Sequence, residues 1–533
     1  MHIILPNHGG NGIDLPYNIL TAVLVSIFIY STYKITITKA HINQSSCILF
    51  FLAAIILTIN IFSSKNALIS NLGIAILFCT SFLIILTTSY KNELGLFLYL
   101  ISAAGCIQAL IGLLQSFGIN PSIGGASLDT LSRPLGTFQQ PNVLASFIAT
   151  GLACASYLFY AGVYKNKIEK ILLSIAVILP IVCLIITASR TGWIALGFTL
   201  LVFTILNAKN KQLKTWLPII TLGAIAGTSL IIFDTGNADL ADDKFRTSDI
   251  RSTLYPQTIE LIKQNPIWGV GEGNFETTYV HEIAAMYHQG LIEQPPESSY
   301  GHPHNEVLHI WVEFGILPVI LILLLVAITL RQISAITGDK KFVALALIFP
   351  ITLHAILEYP FRHSFPHILV FLIILHVINV WSGAQTYTFS FKKYRSVVST
   401  LNLLVFLVAN IYLINALIMN HALWKVEIDP ENNAHYLNWP FYPGENNTRY
   451  EFVVHGAMYS LGMKNNDRQA LTIFTEWAEN QKEKTPRVNL YHAMVNAYMK
   501  LDKPEMAIKA LDEVRYLFPQ KEHPTIAISS SKP

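Results

Sequence analysis

Ile171-Leu-Leu-Ser-Ile-Ala-Val-Ile-Leu-Pro-Ile-Val-Cys-Leu-Ile-Ile-Thr-Ala-Ser-Arg-Thr-Gly-Trp193 decides how this chain must be read. From Ile171 to Ala188 there is no charge, a run that as a helix is roughly 27 Å long and matches a hydrocarbon core. Arg190 follows, and with almost no loop a second uncharged block runs from Thr191 to Asn207. Two membrane-length blocks joined by one cation are the pattern of a helical hairpin in a bilayer.

The same pattern extends in both directions. Apolar blocks fall at 16–33, 46–63, 67–88, 94–117, 142–162, 171–188, 191–207, 214–233, 306–330, 341–357, 365–382 and 396–418, about twelve spans in all. Of 533 residues 52% are hydrophobic and 13% charged, about half the charge of a soluble protein. The expected fold class is an all-α polytopic membrane protein. Its expected parts are an N-terminal transmembrane bundle (1–233), a long loop (234–305), C-terminal transmembrane helices (306–418) and a tail (419–533). A net charge of +3 gives no reason to expect a nucleic-acid partner. Cys47, Cys79, Cys106, Cys154 and Cys183 all lie in or beside apolar blocks, so neither a disulfide framework nor a thiolate metal site is expected. The first fifteen residues contain no Lys or Arg, so no cleavable signal is evident.

Cations sort the connections by side. Lys34 and Lys39, Lys91, Lys165 with Lys167 and Lys170, Lys209 with Lys211 and Lys214, Arg331 with Lys340 and Lys341, and Lys392 with Lys393 and Arg395 fall on one side of an alternating thread. The positive-inside rule makes that side cytoplasmic. The long loop, both chain ends and the tail then face outward, into the periplasm of a bacterial inner membrane. Met1–Pro16 reads like an interhelical loop, and an upstream start with one further span would put the true N-terminus inside.

The loop from Asp234 to Asn305 is the long polar break, expected to be the lid and part of the floor of an active site. It ends on Gly301-His-Pro-His-Asn305, and His304 stands just before an apolar helix whose Glu306, His309 and Glu313 share one face. The His spacing is not that of a helical zinc motif, so a metal-free general base is the better reading of His304. Trp268-Gly-Val-Gly-Glu-Gly-Asn-Phe275 fits no phosphate-loop spacing and reads as a tight turn. Arg190 offers a fork for phosphate oxygens, although taken alone it reads better as an interfacial anchor beside Trp193. Arg251, in Arg251-Ser-Thr-Leu-Tyr-Pro256 ahead of an amphipathic helix, is either a ligand or a solvated loop residue. Arg133-Pro-Leu-Gly-Thr-Phe-Gln-Gln-Pro-Asn142 and Glu358-Tyr-Pro-Phe-Arg362 add cations, amides, a carboxylate and a phenol on the same side. Each alone is explained by turns and caps; together they suit a lipid-linked diphosphate, whose leaving charge fixed guanidinium donors would stabilise.

After the last span, residues 419–447 read as irregular. From about Asp467 helical periodicity returns, with Ala470, Ile473, Phe474 and Trp477 on one expected face. Two helices follow, at about 487–501 and 505–518, resembling one tetratricopeptide-like pair. One pair cannot bury its own face, so it serves either as a packing cap or as a docking surface.

Thr137-Phe-Gln-Gln-Pro-Asn142, Ser189-Arg190 with Gly192, Arg251 with Gly269–Phe275, and His304-Asn305 with Trp311, Glu313 and Gly315 resemble the O-antigen ligase and polymerase superfamily. Within it, the first motif and the helical tail are most similar to the bacterial O-oligosaccharyltransferases, the protein and pilin glycosylation ligases. The resemblance runs from about residue 130 to the end. It implies a GT-C-like membrane fold and metal-independent transfer, without a cofactor, of a glycan from undecaprenyl diphosphate to Ser or Thr of periplasmic proteins such as pilins. His304 matches the essential histidine, Arg190 and Arg251 the diphosphate-binding arginines, and Gln140 and Asn142 the Gln-x-Asn element; Tyr359 matches a downstream tyrosine. Arg133 and Glu313 are expected to help position substrate. Tyr255 stands where the family often has Trp, and Pro318 where a small residue is common; neither is expected to touch the chemistry. The sibling reading is O-antigen ligation or polymerisation on lipopolysaccharide. A transporter is more distant, because no internal repeat or paired broken helix is visible.

Overall fold

The computed structural model describes residues 15–36, 39–42, 47–49, 94–119, 133–138, 140–233, 250–385, 387–390, 392–443 and 447–524. The expected span at 67–88, nearly all of that at 46–63, and the charged start of the loop at 234–249 lie outside them. Eight helices among the described residues are long and apolar enough to cross a membrane: Leu94–Ser116, Pro141–Tyr160, Lys167–Ile186, Arg190–Lys209, Leu213–Ile232, Ile316–Ala335, Lys340–Leu357 and Arg395–Ile428. Pro16–Phe28 and Phe365–Trp381 are shorter apolar stretches. A two-stranded antiparallel ribbon pairs Lys39–Ile42 with Tyr387–Ser390.

The chain forms two compact units, the first drawn from Met1–Ile55, Asn71–Ser248 and Ile320–Leu417. Its centre is the Pro141–Tyr160 helix, buried along almost its whole length. Small residues make that possible. A Cβ on Gly151 would sit 2.8 Å from Gly105 Cα, so the Leu94–Ser116 helix crosses here backbone to backbone. A Cβ on Gly192 would come within 2.8 Å of Ala145 Cβ, which seats the Arg190–Lys209 helix on the same core.

The second unit combines Asp249–Val319 and Ile418–Pro533. Loop helices Arg251–Gln264 and Phe275–His288 share one apolar core with tail helices Arg468–Gln481, Val488–Lys500 and Pro504–Leu517. Leu254, Phe275 and Ile283 belong to that core together with Phe474, Tyr491, Met494 and Leu511. The tail pair therefore buries its face against the loop helices.

Three expectations need correcting. The apolar block expected at 306–330 is not one span. A nine-residue helix, Glu306–Phe314, stops at Gly315, and the membrane-length helix begins at Ile316. Gly315 has φ 74° and ψ −168°, a region closed to other residues. The Glu306, His309 and Glu313 stripe is therefore not inside a span. Pro318 falls in the first turn of the following helix, where a missing N–H is tolerated. The last span does not end near 418 but continues as one 34-residue helix to Ile428, shortening the expected irregular segment. In the Arg468–Gln481 helix the buried face is Leu471, Phe474, Thr475 and Ala478, whereas Ile473 is exposed, a rotation from the expected face.

Candidate functional site

The first unit holds Arg133, Gln140, Asn142, Arg190 and Tyr359 of the expected site residues. Two glutamines of the Leu94–Ser116 helix build the turn where the site begins. Gln108 donates to Thr137 Oγ1 (2.9 Å) and accepts from the Thr137 N–H (3.0 Å). Gln115 accepts from the N–H groups of Leu135 and Gly136 and donates to Gly136 O. Seven residues apart, they share a helix face, a polar pair in an apolar block that sequence reasoning passed over.

This turn delivers Arg133 and Gln140. Arg133 Nε donates to Thr187 O at 2.6 Å, while its Nη2 is buried with no hydrogen-bond partner. Burial pushes the Arg133 guanidinium down to about 10, so it is still a cation at neutral pH but an under-solvated one. Gln140 is the N-cap of the Pro141–Tyr160 helix, but its side chain makes no cap hydrogen bond. Asn142, in that helix's first turn, bridges two neighbours: Oδ1 accepts from Ser189 Oγ (2.8 Å) and Nδ2 donates to Glu358 Oε1 (3.3 Å). Ser189 in turn caps the next helix, accepting from the Gly192 N–H. Arg190 is that helix's first residue. Tyr359 is buried, edge-on to His363 and under the Arg362 guanidinium at 5.5 Å. One turn below Asn142, Ser146 Oγ ties His354 Nδ1 (2.6 Å) and His367 Nε2 (2.9 Å), a buried knot of three helices.

The second unit holds Arg251, His304 and Glu313. Arg251 is the first residue of its helix. Tyr255, one turn on and hence on the same face, donates from its hydroxyl to His304 O at 2.9 Å. Tyr255 thus reaches the backbone of the candidate base. His304 has φ 52°, a left-handed value, and its N–H donates to His302 Nδ1 at 3.2 Å. Asn305 then caps Glu306–Phe314 by accepting from the Leu308 N–H. Glu313 faces inward. Its Oε1 accepts from the Gly273 N–H (2.9 Å) and lies 3.4 Å from His309 Nε2. The N–H groups of Val270 and Gly271 donate to Val312 O and Glu313 O. The Gly269–Phe275 run is thus a strap closing over the helix end, as its reading as a turn predicts.

The two candidate anion-binding arginines share one arrangement. Arg190 and Arg251 each occupy the first position of a helix whose first turn has no acidic residue. The positive end of the helix dipole and a guanidinium-bearing residue then fall at the same helix end, a place that favours an anion. Ala188, like His304, is left-handed (φ 47°) immediately before a capping side chain. The starts of the Arg190–Lys209 and Glu306–Phe314 helices are therefore each set by a strained residue followed by a Ser or Asn cap. Among the described residues, no group of three His, Cys, Asp or Glu has metal-site geometry.

A polytopic helical membrane protein with guanidinium-lined helix starts and a histidine-bearing loop is the class these features define. The chain is similar to the O-antigen ligases and protein glycosylation ligases. Residues 134–159 match the family described as protein glycosylation ligase, residues 175–324 that described as O-antigen ligase, and residues 342–530 that described as virulence factor membrane-bound polymerase, C-terminal. It is 22% identical over 282 residues to a general O-oligosaccharyltransferase of Acinetobacter baylyi, covering 50% of this chain and 47% of that protein. The chain thus spans about half the length of the curated relative it matches.

Proposed function

We propose that this protein is an O-linked oligosaccharyltransferase of the bacterial inner membrane, moving a glycan en bloc from undecaprenyl diphosphate to Ser or Thr hydroxyls of periplasmic proteins such as pilins. The observation that carries the reading is the placement of Arg190 and Arg251 at the first positions of acid-free helix starts, within a chain matching glycan-transferring families. In this reading they hold the diphosphate and stabilise the charge that develops as the anomeric C–O bond to it breaks. The acceptor hydroxyl attacks the anomeric carbon, and His304 takes its proton. Arg133 adds a third, under-solvated cation, while Gln140, Asn142 and Tyr359 orient sugar and phosphate. Glu313 acts at a distance by fixing the strap. The loop and tail face the periplasm, as the cation distribution suggests.

Co-expression with a candidate pilin and a lipid-linked glycan pathway, read by intact mass, tests this. The His304→Asn and Arg190→Ala variants should leave the acceptor without glycan while accumulating normally in the membrane. Near-normal glycosylation by both would overturn the assignment. The matches to O-antigen ligase and polymerase families favour one second reading, ligation or polymerisation on lipopolysaccharide. A deletion strain with altered lipopolysaccharide and unaltered pilin mass would select it.

A further inference from the structure

The far end of the long Arg395–Ile428 helix carries an aromatic cluster that the transfer reaction does not use. His421 and Trp424 lie on the helix, with ring centroids 5.7 Å apart. The chain then turns back through Pro430–Asn433 and Ala434–Asn438. This return brings Tyr436 to 6.0 Å and Trp439 to 6.4 Å from the His421 ring, the latter nearly parallel to it. Lys425 Nζ lies over the rings of Trp424 (4.9 Å) and Tyr436 (5.8 Å). Trp439 is 57% exposed and Phe441 73% exposed.

Helix geometry fixes the level of this cluster. The apolar part, Val397 to Met419, is about 23 residues and so roughly 34 Å long, enough to cross a core of about 30 Å with some tilt. His421 then lies roughly 3 Å beyond the apolar end, and Trp424 and Lys425 roughly 8–9 Å beyond it. The headgroup layer on each side is about 5–8 Å thick. Helix side chains also lean toward the N-terminus, here back toward the core. The returning Tyr436 and Trp439, packed on His421, reach the same level.

The direction the cluster faces is equally constrained. Leu404, Val408, Ile411 and Ile418 form an exposed apolar stripe along the helix. Steps of three and four residues from Ile418 lead to His421 and Lys425, so the cluster prolongs that stripe. A glycan platform would present open ring faces, but Lys425 covers one face of Trp424 and one of Tyr436.

We propose that His421, Trp424, Lys425, Tyr436, Trp439 and Phe441 form a foot resting in the headgroup layer of the bilayer. The aromatic rings sit at the apolar boundary, and Lys425 meets lipid phosphate. The foot fixes the height of the tail's entry segment above the membrane.

The test uses full-length protein in vesicles of mixed phosphatidylethanolamine and phosphatidylglycerol. Spin labels are placed by Trp439→Cys and Phe441→Cys, and at an exposed tail site by Glu476→Cys, with the native cysteines replaced. At 439 and 441 the collision rate with a water-soluble nickel chelate should be about fivefold lower than at 476, and that with oxygen higher, as at a membrane interface. As a second readout with the cysteines intact, brominated lipid should quench the wild type more than Trp439→Phe. Labels as water-accessible as that at 476, with equal quenching of the two proteins, would overturn the foot. So would accessibility at 439 and 441 that falls only when free oligosaccharide is added, which would assign the rings to glycan.

Discussion

Arg487 grips Glu276 through two parallel hydrogen bonds, Nε to Oε1 at 2.7 Å and Nη2 to Oε2 at 3.0 Å, across 211 residues of sequence. The Glu276 side chain is only 9% exposed, so its carboxylate depends on this partner. That hydrogen bond also raises the Arg487 guanidinium above its ordinary value. Thr277 donates to Glu483 O and His288 stacks on Tyr516 nearby, so the tail holds the Phe275–His288 helix along its length. Phe275 at the start of that helix lies edge-on to His309 at 5.8 Å, carrying the support into the Glu306–Phe314 helix that follows His304.

Arg487→Ala should therefore loosen the loop, not only the tail. Leaving the Glu276 carboxylate without its partner costs about 1–3 kcal/mol locally, toward the lower value because the outer edge of Arg487 is solvated. Amide hydrogen exchange across Phe275–His288 should speed up, and glycan transfer should fall. Glu276→Gln should have a smaller effect, because its amide carbonyl still accepts from Arg487. Unchanged exchange in Arg487→Ala would show that the apolar core alone fixes the loop.

The Asn142 bridge makes a prediction with a built-in rescue. Its amide donates to Glu358 and accepts from Ser189, so Asn142→Asp sets two carboxylates against each other and should lower transfer at least tenfold, about 1.4 kcal/mol. The double variant Asn142→Asp with Glu358→Gln swaps donor and acceptor and should recover most of the loss. A steady-state transfer assay on both variants checks this; no recovery would mean that the negative charge of Glu358 itself is needed.

Much of this was legible in the sequence, and the parts that were not share a physical cause. Apolar block length pointed to the eight membrane-length helices of the described residues, because backbone satisfaction in lipid forces helices of that length. The Glu306, His309 and Glu313 face came from periodicity alone, and all three are buried. Gly315 marked the break within the expected 306–330 span, but a glycine inside an apolar run does not declare its φ. The joint loop-tail core was invisible because its halves lie about two hundred residues apart, and neither half's periodicity names its partner. Ser146, His354 and His367 were missed because each is a lone polar residue on a different helix. Gln108 and Gln115 carried a usable signal, the seven-residue spacing of two amides in an apolar helix.

His304 separates backbone from chemistry in a way an alanine scan would blur. Its left-handed φ suits Asn or Gly better than Ala. His304→Asn should keep the fold and abolish transfer, whereas His304→Ala adds strain to the loss of the imidazole. Tyr255→Phe removes only the hydrogen bond to His304 O and should cost about 0.5–1.5 kcal/mol, or roughly two- to thirteenfold in transfer. Transfer rates with membrane protein level as control decide the matter. Full activity in Tyr255→Phe would show that the loop backbone is held by other contacts.

Gly315 tests the strap. A Cβ there would lie 1.9 Å from Ile267 O, and φ 74° with ψ −168° is costly for any side chain. Gly315→Ala should cost more than about 3 kcal/mol and reduce accumulation of the folded protein. Gly301, before the Glu306–Phe314 helix, has nothing within 4 Å of an added Cβ, so Gly301→Ala should be near neutral. Equal accumulation of the two variants, measured by detergent-solubilised size exclusion, would contradict the strap.

The tail carries a pH-dependent element of its own. His492 Nε2 and His523 Nδ1 lie 3.2 Å apart, a contact that needs one ring to donate and the other to accept. Burial first, and the neighbouring His523 second, hold His492 below its ordinary 6.5. The unfolded chain therefore binds this proton more readily than the folded one. The pair's contribution is present above about pH 6.5 and is lost as pH falls toward the lower folded value. Exchange protection of the Val488–Lys500 helix should weaken between about pH 7 and 5. His492→Gln, which does not titrate, should flatten that dependence in the full-length protein. A wild-type profile that is itself flat over this range would mean that the two rings make no coupled hydrogen bond in solution.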